Sequence, residues 1–311
     1  MENSNITKLS LTDADYPAPL RQLKNPPAEL YVKGNAALLN GGPVVAVVGS
    51  RNATAYGLAV TSDFCRDLCE AGFTIITGGA RGIDSAAAET ALKYGGRLIV
   101  VLGCGVDIAY PPENAGLFKR TIQSGGAVIS EFPLGTQPLS TFFPRRNRII
   151  AALSDGCVVT EAGLKSGALI TADYCLDLKK PIYAVPGNIT SASCAGTNNL
   201  IRSGAQMAID GLRVASEIKL SLSFHEKQNS PRVYKPKSDA PKASAPSEPK
   251  KKLDFSADEE RIIRAIKDGK TTVDEIARET GLSEAALAPI MIMLEIKGAI
   301  KREFGGGYTE Q

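Results

Sequence analysis

The chain has 311 residues, 43% of them hydrophobic, and a formal net charge of +3, which suits roughly two domains with a full-sized core and does not mark the whole molecule as a polyanion binder. The positive excess is local, since residues 225–252 carry eight Lys and Arg against three Asp and Glu; a basic surface elsewhere has to be a patch. Six cysteines without CxxC spacing, a polar N-terminus without an apolar leader core and no run of membrane-spanning length lead us to expect a protein of the reducing cytoplasm, with neither metal nor membrane contact.

Residues 1–43 read as an N-terminal extension appended to the main domain. Pro17, Pro19 and Pro26-Pro27 interrupt a helical Leu20–Leu23 segment, and Glu29 to Lys33 followed by Gly34-Asn35 reads as a short strand and turn. From residue 44 to about 220 the pattern changes to apolar runs that end in loops, most of them glycine-bearing, and lead into helical segments. Val44 to Val48 precedes Gly49-Ser50-Arg51-Asn52, Phe73 to Thr77 precedes Gly78-Gly79-Ala80-Arg81-Gly82, and Leu98 to Leu102 precedes Gly103-Cys104-Gly105. Further strands are expected at Ala127 to Ser130, Cys157 to Thr160 and Ile182 to Val185. Continuous apolar strands alternating with helices predict an α/β domain, an extended Rossmann-like and mostly parallel sheet with helices on both faces. Right-handed crossovers then bring the glycine loops to one sheet edge and one cleft.

Residues 221–252, with Pro231, Pro236, Pro241, Pro246 and Pro249 among Ser, Ala and Lys, read as a disordered basic linker. Residues 253–311 predict a small winged helix-turn-helix domain. Ser256 with Glu259, and Thr272 with Glu275, fit capping boxes; Gly281 makes the turn, and Leu287, Met291 and Leu294 have core spacing on a third helix. The wing is expected around Gly305-Gly306-Gly307. That third helix opens on Glu284, Ala285, Ala286 and Ala288 and contains Pro289, which suits a protein-contact or weak duplex-contact module better than a reader of base sequence.

The stretch from Phe142 to Ser154 concentrates the chemistry. It places Phe142 and Phe143 beside Pro144 and then sets out Arg145, Arg146, Asn147 and Arg148 before an apolar helix. Three arginines within four residues repel one another unless an anion or an acid neutralises them, and a ring offers a face on which any base can stack. Core rings and a salt-bridged helix start would be the plainer account. The cleft chemistry narrows by spacing. Neither Gly78 to Gly82 nor Gly163 to Gly167 is a P-loop, Val48 to Asn52 lacks GxGxxG, and the single histidine, His225, lies far from every glycine loop; ATP hydrolysis, hydride transfer and histidine catalysis lose support, and no cofactor is expected. Helix starts at Gly78, Gly79 and Gly82 and at Lys165-Ser166-Gly167 offer free amides to an anion, with Arg51, Arg81 and Lys165 making the rim positive. The reading is a non-catalytic binder of single-stranded nucleic acid. Arg51, Arg145, Arg146 and Arg148 take phosphates, Phe143 stacks on a base, and Asn147 with the Gly78–Gly82 amides fixes the register.

Gly49-Ser-Arg51, Gly78-Gly79-Ala-Arg-Gly-Ile-Asp84, Gly103-Cys-Gly-Val-Asp107 with Tyr110-Pro-Pro-Glu-Asn114, Phe143-Pro-Arg-Arg-Asn-Arg-Ile-Ile150, Ser166-Gly-Ala-Leu-Ile-Thr-Ala172 and Pro186-Gly187 resemble the DNA-processing protein A (DprA, also called Smf) family from about Tyr16 to Asp210. The resemblance implies a Rossmann-like protein that binds single-stranded DNA, forms a homodimer and loads the RecA recombinase during natural transformation and recombination. It implies DNA contacts at Arg51 and at Phe143 to Arg148; Ser140 and Thr141 stand where members often carry a basic or histidine residue. The C-terminal domain is similar to the winged helix that many members append. A second resemblance, through Thr160-Glu161-Ala162-Gly163, is to phosphoribohydrolases of the lysine-decarboxylase-like group. It would make Glu161 or Glu131 a catalytic carboxylate acting on a nucleoside monophosphate, but that group's PGG motif is missing.

Overall fold

The computed structural model describes residues 6–229, 255–297, 299–302 and 308–310, which fall in two compact units, Met1–Val233 and Tyr234–Gln311. In the first unit, β1 (Ile6–Ser10), α1 (Ala18–Arg21) and β2 (Glu29–Gly34) lead into β3 (Val44–Val48), α2 (Ala55–Glu70), β4 (Thr74–Thr77), α3 (Ile83–Lys93) and β5 (Arg97–Val101). Next come α4 (Ala115–Gln123), β6 (Ala127–Ser130), α5 (Phe142–Leu153), β7 (Gly156–Val159), α6 (Ala168–Asp177), β8 (Ile182–Ala184), α7 (Ala195–Arg202), β9 (Gln206–Met207) and α8 (Gly211–Asn229).

All nine strands form one sheet in the order β1-β2-β6-β5-β4-β3-β7-β8-β9. The seven strands from β3 to β9 run parallel, while β2 pairs antiparallel with β6 and β1 antiparallel with β2. Strands β3, β4, β6 and β7 are buried along their whole length, because helices cover both faces of these strands. One core layer joins the sheet to α1, α5 and α6 through residues such as Ile149, Ala172 and Leu20; the other joins it to α2, α3, α4 and α8 through Phe64, Ala87, Phe118 and Ile218. The strand order reverses at β3, which has β4 on one side and β7 on the other. A reversal splays neighbouring crossovers to opposite faces and opens a crevice at the carboxyl ends of those two strands.

Two expected boundaries are corrected. Within the expected extension 1–43, residues 6–43 are not an appendage: β2 continues the main sheet, and Leu9, Tyr16, Leu20, Leu30 and Val32 belong to the same core as Ile149. The pairing partner of β2 is Ala127–Ser130, remote in sequence, so local pattern could not reveal it. Likewise, the segment expected to be linker from residue 221 continues α8 to Asn229, with Leu222 packed against the core and no proline before Pro231 to stop the helix. The remainder of that linker, including the proline series, lies outside the described residues.

The second unit contains α9 (Ala257–Lys267), α10 (Val273–Thr280), α11 (Glu284–Ile296) and an antiparallel pair, β10 (Ile300–Arg302) with β11 (Tyr308–Glu310). Both capping boxes form, on Ser256 with Glu259 and on Thr272 with Glu275, and Gly281 ends α10 at φ 73°, a left-handed conformation that favours glycine. Ile262, Ile266, Ile276, Leu287, Met291 and Leu294 close the core. This is a winged-helix arrangement; the glycines expected at the wing tip lie outside the described residues.

Candidate nucleic-acid interface

The crevice at the β3/β7 reversal is a cleft of about 630 Å³. The loop after β3 supplies Ser50, Arg51 and Asn52, the loop after β7 supplies Gly163 to Gly167, and α5 forms one wall. Backbone hydrogen bonds knit the loops together. Ser50 N donates to Glu161 O at 2.7 Å, and Ile83 N to Ser50 O at 3.1 Å, so Arg51 stands on a braced turn while its side chain remains exposed. Its guanidinium lies 5.6 Å from the Phe143 ring centre, and Tyr110 continues the stack with its centroid 5.3 Å from that of Phe143. Lys165 and Ser166 line the same cleft, before the N-terminus of α6, where the first turn's amides carry partial positive charge. The cleft thus joins a flat aromatic surface to two cations and a helix start.

Pro144 is not a turn residue before the helix; it is the third residue of α5, a position where its missing N–H costs no intrahelical bond. The residues from Phe143 to Arg148 therefore obey the helical period and divide between two faces. Phe143, Arg146, Asn147 and Ile150, at i, i+3, i+4 and i+7, line the cleft. Arg145 and Arg148 line a different groove with Glu131 and Tyr174. The three arginines and Asn147, expected to act together, are therefore divided: Arg146 and Asn147 line the cleft, whereas Arg145 and Arg148 do not. Lys180 fixes the far end of α5, its Nζ donating to Ala151 O at 3.0 Å, Ala152 O at 2.7 Å and Ser154 O.

Arg146 is 4% exposed. Its Nη1 donates to Gly78 O at 2.6 Å and to Val101 O, and its Nε to Asn147 Oδ1 at 3.2 Å. Burial pulls its pKa down to about 10 against the opposing pull of Asp84, so it stays charged at neutral pH as the buried brace of the cleft. Asn147 donates to Gly167 O at 3.2 Å and ties α5 to the start of α6. Arg81 pairs with Glu113 and contributes to a small pocket adjoining the cleft, with Arg51 and Tyr110. Of the cations expected at the rim, Arg51 and Lys165 line the cleft itself.

Family models match almost the whole chain: DNA recombination-mediator protein A over residues 7–219 and the DprA winged helix domain over residues 239–306. The chain belongs to the DNA recombination-mediator protein A family. Protein Smf of Synechocystis sp. is 32% identical over 100% of this chain and 81% of its own length, and DNA processing protein DprA of Streptococcus pneumoniae is 38% identical over 70% of this chain and 76% of its own. The X-ray structure of the Streptococcus pneumoniae protein superposes with a TM-score of 0.65, covering 69% of this chain and 75% of that one at 38% identity. A Helicobacter pylori DNA processing protein A, described by its single-stranded DNA binding mode, superposes at 0.62, covering 70% and 96% of the two chains at 30% identity.

In this DprA-family chain the space beside the Gly78–Gly82 run is occupied by the protein itself. A Cβ on Gly78 would fall 2.6 Å from the Arg146 guanidinium and 2.8 Å from the Asp84 carboxylate, and one on Gly82, at φ 70°, would strike Ser50 O. Asp84 accepts from Ala80 N at 3.2 Å, so the carboxylate already takes part of what the Gly78–Gly82 loop was expected to give a ligand. Burial pushes the Asp84 carboxyl above its ordinary value while Arg146 pulls it back. Glycine here serves close packing between loops. Gly167, by contrast, has open space around it.

Neither candidate catalytic carboxylate is free. Glu161 is fully buried and accepts from Thr54 Oγ1 at 2.7 Å and Thr54 N at 2.8 Å, which anchors the start of α2 as an acid at a helix N-terminus does. Glu131 receives Arg145 and Arg148 in the groove beyond α5. These contacts tie Glu161 to the start of α2 and Glu131 to α5. Sequence reading omitted Tyr110, Ser50 and Asn52 from the site; the Tyr110-Pro111-Pro112 motif was the available signal for the first. Among the described residues no helix is long and apolar enough to cross a membrane.

Proposed function

We propose that this chain binds single-stranded DNA in the cleft at the β3/β7 reversal without breaking a bond, and delivers it to a RecA-type recombinase in natural transformation and recombination. The observation that carries the reading is the Tyr110–Phe143–Arg51 stack in one cleft with Lys165 and the start of α6. Stacking on aromatic and guanidinium planes tolerates any base, and cations track the backbone, which together favour an unpaired strand over a duplex. Arg51, Lys165 and the Ser166-Gly167 turn hold phosphates; Phe143 and Tyr110 hold a base; Arg146, Asn147 and the Gly78–Gly82 loop hold the site in shape. The relative from Helicobacter pylori described by its single-stranded DNA binding mode supports the ligand class.

Homodimer formation belongs to the same reading. Strand β9 ends the sheet, and Met207, Ile209 and Leu212 stand exposed at that edge, an apolar margin suited to a second copy. A change of Met207 to Asp is expected to shift the chain to monomer in light scattering.

The decisive experiment is an anisotropy titration of the full chain with single-stranded and duplex oligonucleotides at several salt concentrations. Single strands should bind more tightly, with log affinity falling by about 0.7 per log unit of salt for each phosphate neutralised. Tighter duplex binding, or an Arg51→Ala, Lys165→Ala variant with unchanged affinity, would overturn the assignment.

A further inference from the structure

On the far side of α5 from the cleft lies an open groove of about 710 Å³ between the Asn25–Glu29 loop, Tyr174, Arg145 and Arg148, with Glu131 lining it. The ion pairing there is lopsided. Arg145 Nη2 at 2.7 Å and Arg148 Nη2 at 2.6 Å both reach the same carboxylate oxygen, Glu131 Oε2. Among the described residues, the other oxygen, Glu131 Oε1, and the other amino group, Arg148 Nη1, are buried without a hydrogen-bond partner. These two atoms belong to facing residues and are complementary. A guanidinium and a carboxylate can form two parallel bonds, and a buried polar atom left without one is costly.

The two arginines also differ in solvent access. The Arg145 side chain is 57% exposed, against 11% for Arg148 and 2% for Glu131. Arg145, which otherwise rests over the Phe132 ring at 5.5 Å from its centroid, can leave Glu131 with little change in its hydration, whereas Arg148 stays. Its departure frees Oε2 for Arg148 alone and lets Arg148 close as a fork on both oxygens, filling both orphaned positions. Among the described residues lining the groove the remaining acid, Glu29, is held by Lys8 at 2.5 Å and Tyr31 at 2.6 Å and does not compete for the freed arginine.

We propose that this groove is a second phosphate subsite for the strand bound in the cleft, entered when Arg145 exchanges Glu131 for a backbone phosphate and Arg148 re-seats on Glu131. The proposal rests on the cleft reading above. The strand that leaves Phe143 crosses the first turn of α5, a helix about 10–12 Å across with its side chains, and meets Arg145 two residues further along, with Tyr174 offering a ring beside it. Binding thus scales with strand length, and the groove takes backbone rather than bases.

The test uses the full chain and two oligothymidylates, one of about 5 nucleotides that fits the cleft alone and one of about 20. Arg145→Ala should weaken the longer strand about five- to tenfold and lower its salt slope by about 0.7, leave the shorter strand unchanged, and leave the thermal midpoint unchanged because Arg148 completes the pair. Arg145→Gln carries the same expectations should the alanine variant aggregate. Equal affinity and slope for the longer strand in wild type and variant would overturn the proposal, as would equal weakening of both lengths, which would place Arg145 in the cleft. A fall of several degrees in the midpoint would show Arg145 to be a fixed partner of Glu131 and would overturn the exchange. Arg51→Ala separates the two readings: it should weaken both lengths, and if it weakens neither while Arg145→Ala still acts on the longer strand, the cleft reading is overturned and the groove binds phosphate on its own, not as a second subsite.

Discussion

Helix α5 and the two loops at the sheet reversal carry similar charges to opposite ends. Arg145, Arg146 and Arg148 are crowded into four residues, yet each is engaged by the protein: Arg146 by the carbonyls of Gly78 and Val101, the other two by Glu131. Arg51 and Lys165 are isolated in sequence, on different loops, and both side chains reach the cleft exposed. Density of charge along the chain therefore does not measure charge available to a ligand. A cluster on a helix must be neutralised locally or by the fold, whereas a single cation on a loop at a sheet edge can be left for a partner.

The sharpest way to break this comparison is Arg146→Met. If the residue is a brace, the loss leaves Asp84 buried without its counter-charge and should cost about 3–5 kcal/mol of stability in urea unfolding. A variant of wild-type stability with weakened DNA binding would return Arg146 to the list of phosphate ligands. Arg51→Ala is the opposite case. Removing a charged hydrogen bond should cost about 1.5–3 kcal/mol of DNA affinity, with the unfolding curve unchanged because the side chain is solvent-exposed.

Phe143→Ala tests the stack between them, with an expected loss of about 1–3 kcal/mol for the base it carries, read as weaker binding at every salt concentration with the salt slope retained. The smallest effect concerns Asp84, which lines the cleft and whose carboxyl is pushed upward by burial. Its ionised form repels an incoming phosphate and its protonated form does not. Affinity should therefore rise as pH falls through the raised Asp84 pKa, above the ordinary value of 3.8, and Asp84→Asn should flatten that part of the profile. An unchanged profile would place the bound phosphates away from Asp84.

Much of the first unit was legible because each apolar run must be buried on both faces and each ends at a turn. The expected strand at Ala127 to Ser130 matches β6, and the one at Ile182 to Val185 exceeds β8 by one residue. The capping boxes were equally legible, since the partners stand three residues apart and the interaction is local. The membership of β1 and β2 in the main sheet was not, because antiparallel pairing with a strand some ninety residues away leaves no trace in spacing. The site was legible in its parts, which the fold divides between the cleft and the groove beyond α5. Glycine runs at strand ends announced close approach, but only the fold decides whether the approaching group is a ligand or, as at Gly78 and Gly82, the Arg146 guanidinium and the Ser50 carbonyl.

Sequence alone determined the elements, their alternation and the kinds of side chain at the sheet edge, since these follow from hydrophobic period, turn chemistry and capping within a few residues. Tertiary structure decided which cations are free. That outcome depends on the 100° step of α5, which sends neighbouring arginines to different faces, and on the reversal of strand order at β3, which brings Arg51 and Lys165 to the same crevice from the loops after β3 and β7.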